Sequence, residues 1–179
     1  MGNSGKGENQ KQHSEAREWI QSIIIAVVLA FIIKLFLFDF VLVQGSSMFP
    51  TLENKDRLII NKIEYRVSDP DYGEIVILNY SKSTEYVKRV IAKGGDTVAI
   101  KDLVVCVYGN PIAEDYVNTD SYADFSEVTV PEGKYFVMGD NRANSSDSRF
   151  KNLGFVDREA IIGHVFFRFW PLNRFGPVN

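Results

Sequence analysis

The sequence predicts a mainly β protein in which a single N-terminal transmembrane helix precedes a compact all-β domain, built as a sandwich or a partly open barrel. Three observations support this fold class. Residues 19–38 read WIQSIIIAVVLAFIIKLFLF, with Lys34 as the only charge. Beyond Pro50, short apolar runs alternate with turn residues. The turns read SDPDYG, KGGD, YGNP and PEG, which are rich in residues that reverse the chain.

The apolar N-terminal segment is long enough to be a membrane anchor, because about 20 apolar residues cross a ~30 Å hydrocarbon core. Lys34 lies near its C-terminal end, where a lysine snorkels to the headgroups. No A-x-A-like cleavage site follows, which favours an uncleaved anchor over a signal peptide. We predict a disordered tail at 1–18, an anchor at 19–40 and a β-rich domain at 41–179. Basic residues flank the anchor on both sides, so charge does not decide its orientation.

Several runs in the β-rich domain have the length and composition of strands. They are RLIINKI (57–63), EIVILNY (74–80), EYVKRVIA (85–92), TVAI (97–100), LVVCVY (103–108), KYFVM (134–138) and IIGHVFFRF (161–169). The polar stretch GDNRANSSDSRFKNLG (139–154) lacks periodicity. Its two arginines near two aspartates predict an ordered loop that ion pairs cross-link.

The composition excludes several classes of function. A net charge of −3 and a pI near 5.4 give no electrostatic case for binding nucleic acid. The single cysteine, Cys106, rules out an internal disulfide and lies in an apolar run typical of a buried small hydrophobe. With His13 and His164 as the only histidines, a His-rich metal site is not expected. We therefore predict neither a metal nor a cofactor.

The stretch GSSMFPTL at 45–52 places two adjacent serines just after the anchor. A serine hydroxyl is a weak nucleophile until a neighbouring base removes its proton. Neither G-x-S-x-G nor S-x-x-K is present around Ser46 and Ser47. His164 lies inside an apolar strand, as structural histidines often do. A lysine whose pKa is lowered by burial is the other candidate base.

Lys88 is the lysine that fits best, because it lies in the middle of a predicted strand. Period-two alternation places it on the same face as Tyr86 and Val90, with Arg89 on the other face. Aromatic and β-branched neighbours can desolvate an amine. A solvated surface lysine on an alternating strand gives the same pattern. The residues by themselves thus leave open which serine, if either, is a nucleophile and which group serves as its base.

Three stretches, in order behind the anchor, resemble the motifs of bacterial type I signal peptidases: GSSMFPTL, YVKRVIAKGGD and GDNRANSSDSR. With the anchor they span residues 19–169. One motif alone is weak evidence for the family, whereas three motifs in this order at suitable separations are specific evidence. The resemblance implies a compact form of this Ser/Lys-dyad family: a membrane-anchored serine endopeptidase that removes N-terminal signal peptides from exported preproteins.

The resemblance also implies residue roles. Ser47, directly before methionine, matches the nucleophile, and Lys88 matches the general base. Ser145 matches a serine that hydrogen-bonds the lysine and orients it, and Met48 matches a residue that shapes the substrate pocket. Some relatives have a serine at the position of Gly45, so here backbone N–H groups, of Ser47 and near Gly45, are expected to form the oxyanion hole.

Four charged loop residues match salt-bridging positions of the family and are expected to be structural: Asp140, Arg142, Asp147 and Arg149. The region between Gly95 and Pro131 is short, so the large second subdomain of some relatives is expected to be reduced to a hairpin and a loop.

The implied partners are signal-peptide-bearing preproteins and the lipid bilayer, near the secretion translocase. The implied location is the bacterial cell membrane, with one span and an extracytoplasmic catalytic domain. Ser47 lies only nine residues beyond Phe38, which places a nucleophile close to the membrane surface. Two alternatives remain: an anchored β domain that binds exported chains without cutting them, and a specialised relative with a narrow substrate set.

Overall fold

The structure, a computed structural model, is divided into two units, Met1–Leu37 and Phe38–Asn179. It describes residues 17–31, 38–81, 84–117 and 122–178. In the first unit, residues 17–31 form helix α1, whose side chains are all exposed. None of the helices in the described part of the chain is long and apolar enough to cross a membrane.

Residues 1–16 of the predicted tail lie outside the described residues. Residues 32–37 of the predicted anchor, which include Lys34, also lie outside them. Residues 38–40, predicted as the end of the anchor, belong instead to the first strand of the second unit. Their backbone groups pair with residues 59–61, which explains why this apolar stretch is extended.

The second unit consists almost entirely of antiparallel strands. In chain order they are β1 (Phe38–Leu42), β2 (Arg57–Asn61), β3 (Ile75–Ser81), β4 (Thr84–Lys93), β5 (Thr97–Lys101), β6 (Val104–Val107), β7 (Asn110–Pro111), β8 (Phe125–Thr129), β9 (Lys134–Met138), β10 (Val156–Asp157), β11 (Ile161–Trp170) and β12 (Gly176–Pro177). A short helix α2 (Glu64–Val67) and the 3-10 helices Arg142–Asn144, Arg158–Ala160 and Leu172–Arg174 complete it.

The strands form two sheets. The larger has the order β1-β2-β11-β3-β4-β9-β10, with β12 on β11, and the smaller has the order β7-β6-β5-β8. In the larger sheet Val76 of β3 faces Lys88 of β4, and Arg89 faces Met138 of β9. Strand β9 pairs with β4 from Arg89 onward, so the segment Thr84–Lys88 pairs only with β3 among the described strands.

Apolar side chains bury the inner faces of both sheets. One cluster joins the larger sheet to the smaller, through Ile91, Phe136 and Met138 on one side and Val98 and Ile100 on the other. Burying each side chain of this size stabilises the fold by about 2 kcal/mol. A second cluster lies beneath the stretch that carries the two serines. The core therefore fixes both the strand of Lys88 and the loop of Ser47.

The predicted strands agree with the observed ones to within two residues at each end, and the fold is mainly β as expected. The second subdomain differs, because β5, β6, β7 and β8 form a four-stranded sheet rather than a hairpin and a loop. The strand that completes it, β8, reads FSEVT and has three exposed residues out of five. An edge strand with so little apolar alternation is not evident from its sequence.

Candidate active site

The loop that carries the two serines is fixed by burial on one side. Met48 and Leu52 are 2% and 0% exposed, and the Leu52 N–H donates to Met48 O at 2.8 Å. Gly45 has φ +95°, a conformation that glycine adopts without steric cost. Ser46 is exposed and Ser47 half-buried. The buried residues that follow the serines thus hold the exposed part of the loop in place.

Strand β4 brings Lys88 to Ser47. Lys88 Nζ lies 2.9 Å from Ser47 Oγ and donates to Val87 O at 3.1 Å. The side chain is buried, and its amine lies 5.2 Å from the centre of the Tyr86 ring, as strand alternation predicted. Burial disfavours the charged form and lowers the pKa of Lys88 from 10.5 to about 8. About a tenth of the amine is therefore neutral at pH 7, and a neutral amine accepts a proton.

Two ion pairs surround this amine. Asp140 accepts two hydrogen bonds from Arg89, at 2.9 and 2.8 Å, and both side chains are buried. Arg149 binds Asp147 at 2.8 Å. The negative charges of Asp147 and Asp140 raise the pKa of Lys88 and the positive charge of Arg149 lowers it, but desolvation outweighs these effects.

Only one of the expected ion pairs lies within the loop 139–154. Arg149 and Asp147 are both in the loop, whereas Asp140 pairs with Arg89 of β4. Arg142 binds Glu114, which lies between β7 and β8, and the Arg142 side chain is completely buried. The loop is ordered as predicted, but two of its charged residues tie it to distant strands and segments rather than to each other.

Ser145 does not form the hydrogen bond to Lys88 that the resemblance implied. Its Oγ is buried and has no hydrogen-bond partner among the described residues. The side chain packs against Gly139, where a Cβ would lie 2.3 Å from both Ser145 Oγ and Ser47 O. Ser145 thus reaches the site, but the two described acceptors of the Lys88 amine are Ser47 Oγ and Val87 O.

The backbone N–H of Gly45 is not available to bind a substrate. That group donates to Asn54 Oδ1 at 3.1 Å, so a side chain nine residues away already occupies it. The N–H of Ser47 has no acceptor among the described residues. The Ser47 N–H therefore remains available, and the second donor expected near Gly45 is not the N–H of Gly45 itself.

Sequence reasoning did not single out the asparagines of the site. Asn54 binds Gly45, and Asn141 and Asn144 bind the backbone and hydroxyl of Ser46. Glu114, the partner of Arg142, was also missed. Asn141 and Asn144 lie inside GDNRANS, so the motif contained the signal, whereas Asn54 and Glu114 lie outside every motif.

A groove of about 750 Å³ runs along the two candidate residues. Its walls are the chain at 41–48 and the segment Thr84–Lys88, with Asn144 and Ser146 at one side. Met48 lines the groove and also belongs to the buried cluster below it, which fits the pocket-shaping role expected for it. The groove therefore exposes the Ser47–Lys88 pair to an extended chain.

His164 lies elsewhere in the sheet. Its Nδ1 is 3.0 Å from Glu64 Oε2, and it does not line the groove. Glu64, Glu74 and His164 have ligand atoms within 4.8 Å of one another, the one such set in the described part of the chain. These atoms are already hydrogen-bonded, since Glu74 accepts from the Tyr65 hydroxyl at 2.7 Å. His13 lies outside the described residues.

Comparison with known proteins identifies the family. The family model described as "Signal peptidase, peptidase S26" matches residues 16–170. Signal peptidase I T of Bacillus subtilis is 43% identical, over 92% of this chain and 90% of that protein. Signal peptidase I of Bacillus amyloliquefaciens is 44% identical, over 87% of this chain and 86% of that protein.

A crystal structure of a signal peptidase I from Enterococcus faecalis V583 is 30% identical, with a TM-score of 0.49, over 55% of this chain and 98% of that one. The family match covers most of the chain, and the two Bacillus relatives match along nearly their whole length. The chain belongs to the signal peptidase family, peptidase S26.

Proposed function

We propose that this signal peptidase cleaves signal peptides from exported preproteins with Ser47 as its nucleophile and Lys88 as its general base. The observation that carries this proposal is the 2.9 Å contact between Lys88 Nζ and Ser47 Oγ, in which the pKa of the amine is lowered to about 8. A serine protease needs a nucleophile and a base within hydrogen-bonding distance. The buried lysine fills the role that histidine fills in other serine proteases.

In the first step the neutral amine of Lys88 takes the hydroxyl proton of Ser47. The serine oxygen then attacks the carbonyl carbon of the scissile bond, and the carbonyl electrons move to oxygen. The Ser47 N–H stabilises this oxyanion. The ammonium of Lys88 next gives its proton to the leaving nitrogen, the carbon–nitrogen bond breaks, and an ester to Ser47 remains.

The second step reverses these proton transfers. Water replaces the departed amine, Lys88 removes its proton, and the resulting hydroxide attacks the ester. The ammonium returns the proton to Ser47 Oγ as the carbon–oxygen bond breaks. The released peptide ends in a carboxylate, and both side chains recover their starting states. We infer that Ser145 supports this cycle by turning its hydroxyl, which has no partner among the described residues, to accept the third N–H of the Lys88 ammonium.

The substrate binds as an added strand. The segment Thr84–Lys88 has one edge that no described strand covers, and it faces the groove. An extended peptide gains main-chain hydrogen bonds along such an edge, while its alternate side chains enter pockets. Met48 and Val87 line the groove beside the two reacting groups, which favours small apolar residues next to the scissile bond.

The enzyme works at a membrane, close to the translocase that delivers its substrates. Helix α1 presents exposed apolar residues within the anchor predicted at 19–40. In the β unit, Phe40, Trp170 and Phe175 are exposed, and the Phe40 ring lies 5.5 Å from that of Phe169. Exposed aromatic residues are typical of surfaces that contact lipid headgroups.

Two experiments test these proposals. Purified protein and its Ser47→Ala variant are each incubated with a preprotein, and the product's N-terminus is sequenced. One new N-terminus after the signal peptide, present only with the wild-type protein, is expected. For membrane topology, protease added to intact cells should reach residues after Val43 but not those before Trp19. Cleavage by Ser47→Ala, or the opposite accessibility, would contradict the respective proposal.

A further inference from the structure

Asn141 contacts the backbone of both serines in the nucleophile loop. Its side-chain Nδ2 donates to Ser46 O at 3.0 Å, and its backbone N–H donates to Ser47 O, also at 3.0 Å. It directly precedes the 3-10 helix Arg142–Asn144, which fixes the position of its backbone. One residue therefore holds the carbonyl groups of two successive peptide units.

The side-chain hydrogen bond of Asn141 helps to set the direction of the Ser47 N–H. Ser46 O and the Ser47 N–H belong to one planar peptide unit, which is trans. In a trans unit the carbonyl and the N–H point in opposite directions. Because Ser46 O points toward Asn141, the Ser47 N–H points away from it. That N–H has no acceptor in the described part of the chain, and Ser47 lines the groove.

Two further contacts restrain the same loop. A Cβ at Gly139 would lie 2.3 Å from Ser47 O, so the loops approach this closely only because residue 139 is glycine. Asn144 Nδ2 donates to Ser46 Oγ at 2.9 Å. Neither contact involves the carbonyl of Ser46. Within the loop itself, Ser46 O also accepts a hydrogen bond from the Phe49 N–H at 3.1 Å. The carboxamide of Asn141 is the contact that ties the plane of this peptide unit to the loop 139–154.

We propose that Asn141 is a positioning residue whose carboxamide aims the Ser47 N–H at the oxyanion of the tetrahedral intermediate. This inference rests on the proposed function, since it requires Ser47 to be the nucleophile. A preorganised oxyanion donor is worth about 10²–10³ in turnover. Asparagine suits this role because its NH₂ donates to a carbonyl, whereas an ionised aspartate only accepts hydrogen bonds.

The test compares Asn141→Asp and Asn141→Ala with the control Asn110→Ala. Asn110 Nδ2 also donates to a backbone carbonyl, that of Tyr108 at 3.2 Å, but in the smaller sheet. Asn141→Asp preserves the size of the side chain and the backbone hydrogen bond to Ser47 O. Each variant is assayed for kcat, KM and the pH dependence of kcat, and its folding is checked by thermal denaturation.

Two inhibitors separate binding of the oxyanion from binding of the peptide. A peptide aldehyde ending in a small residue adds to Ser47 Oγ and places an oxyanion-like oxygen at the Ser47 N–H. The corresponding peptide acid occupies the groove without adding to the serine. Loss of an aimed donor weakens binding of the aldehyde only.

Both Asn141 variants should lower kcat by about tenfold or more, and weaken the aldehyde by a similar factor. KM, the affinity for the peptide acid and the acid limb of the pH profile should stay unchanged, and Asn110→Ala should match the wild type. Unchanged kcat, equal weakening of both inhibitors, a shifted acid limb or failure of both variants to fold would each overturn the proposal. Cleavage that persists in Ser47→Ala would instead overturn the proposed function.

Discussion

The Lys88 amine and the Ser47 hydroxyl lie 2.9 Å apart, although 41 positions separate them in the chain. Met48, the residue after Ser47, is buried, and Arg89, the residue after Lys88, binds Asp140. The packing around these two neighbours therefore holds the Lys88 amine and the Ser47 hydroxyl in contact. Burial suppresses the charge of the amine, and the hydroxyl becomes its main polar neighbour.

Replacing the two serines separately distinguishes the nucleophile. Ser47→Ala should abolish cleavage, because of the two serines it is Ser47 whose Oγ contacts Lys88 Nζ. Ser46→Ala should retain most activity, since it loses the contact of its hydroxyl with Asn144 but keeps the carbonyl that binds Asn141. Rates with a preprotein substrate, measured beside thermal melting curves, provide the check. Equal loss in two folded variants would contradict the assignment.

Activity should follow the neutral fraction of Lys88. Because the amine acts without its extra proton and its pKa is about 8, kcat should rise from neutral pH to above about pH 8 and then level off. No step is expected near the ordinary histidine pKa of about 6.5. Lys88→Arg should be inactive, since a guanidinium stays charged in this range. An acid limb near pH 6.5 that disappears in His164→Ala would refute the lysine mechanism.

Lys88 should reduce the stability of the folded state at neutral pH. Its pKa is about 8 when folded and 10.5 ordinarily, so between these values the unfolded chain binds more protons than the folded one. The contribution of Lys88 to the free energy of unfolding is therefore least below about pH 8 and rises up to about pH 10.5. The free energy of unfolding of Lys88→Met should exceed that of the wild type by about 3 kcal/mol at pH 7, and by less at pH 10.

Urea denaturation of the wild type and Lys88→Met at both pH values measures this difference. The Met variant should be inactive, which separates the chemistry of the amine from its packing. A stability difference that does not change with pH would show that the folded pKa is not lowered.

Ser145→Ala should reduce turnover without reducing stability. Its hydroxyl is buried and unpartnered, and such a group costs about 1–3 kcal/mol. Its removal should leave the melting temperature unchanged or higher. Turnover should fall at least about tenfold if the hydroxyl orients the ammonium form of Lys88. Steady-state kinetics and calorimetry together test this prediction. If Ser145→Ala has the turnover of the wild type, Ser145 serves only in packing.

The Glu114–Arg142 pair should contribute far more to stability than a surface pair. Arg142 is completely buried and donates to Glu114 Oε2 at 2.9 Å, so Glu114→Ala leaves a buried guanidinium without its anion. A loss of about 3–5 kcal/mol is expected. The control is Asp157→Ala, which removes the partner of the partly exposed Lys134 and should cost less than about 1 kcal/mol. Equal losses in denaturant titrations would contradict the prediction.

The sequence by itself determined the mainly β architecture, most strand positions and the identity of the candidate pair. Strand alternation placed Lys88 with Tyr86, and the three ordered motifs selected Ser47 over Ser46. These features are local patterns, or motifs whose order along the chain can be read directly. Strand β9 was predicted with the bounds it has, because its apolar residues are contiguous and turns flank them.

Tertiary structure decided which polar groups meet. The motifs did not reveal that Asn54 takes the Gly45 N–H, that Glu114 neutralises Arg142, or that Ser145 Oγ has no hydrogen-bond partner among the described residues. The first contact joins residues nine positions apart and the second joins residues 28 positions apart. A hydrogen bond depends on distances of a fraction of an ångström, and the packing of whole sheets sets them. Residue type limits what a side chain can bond, but the folded core selects its partner.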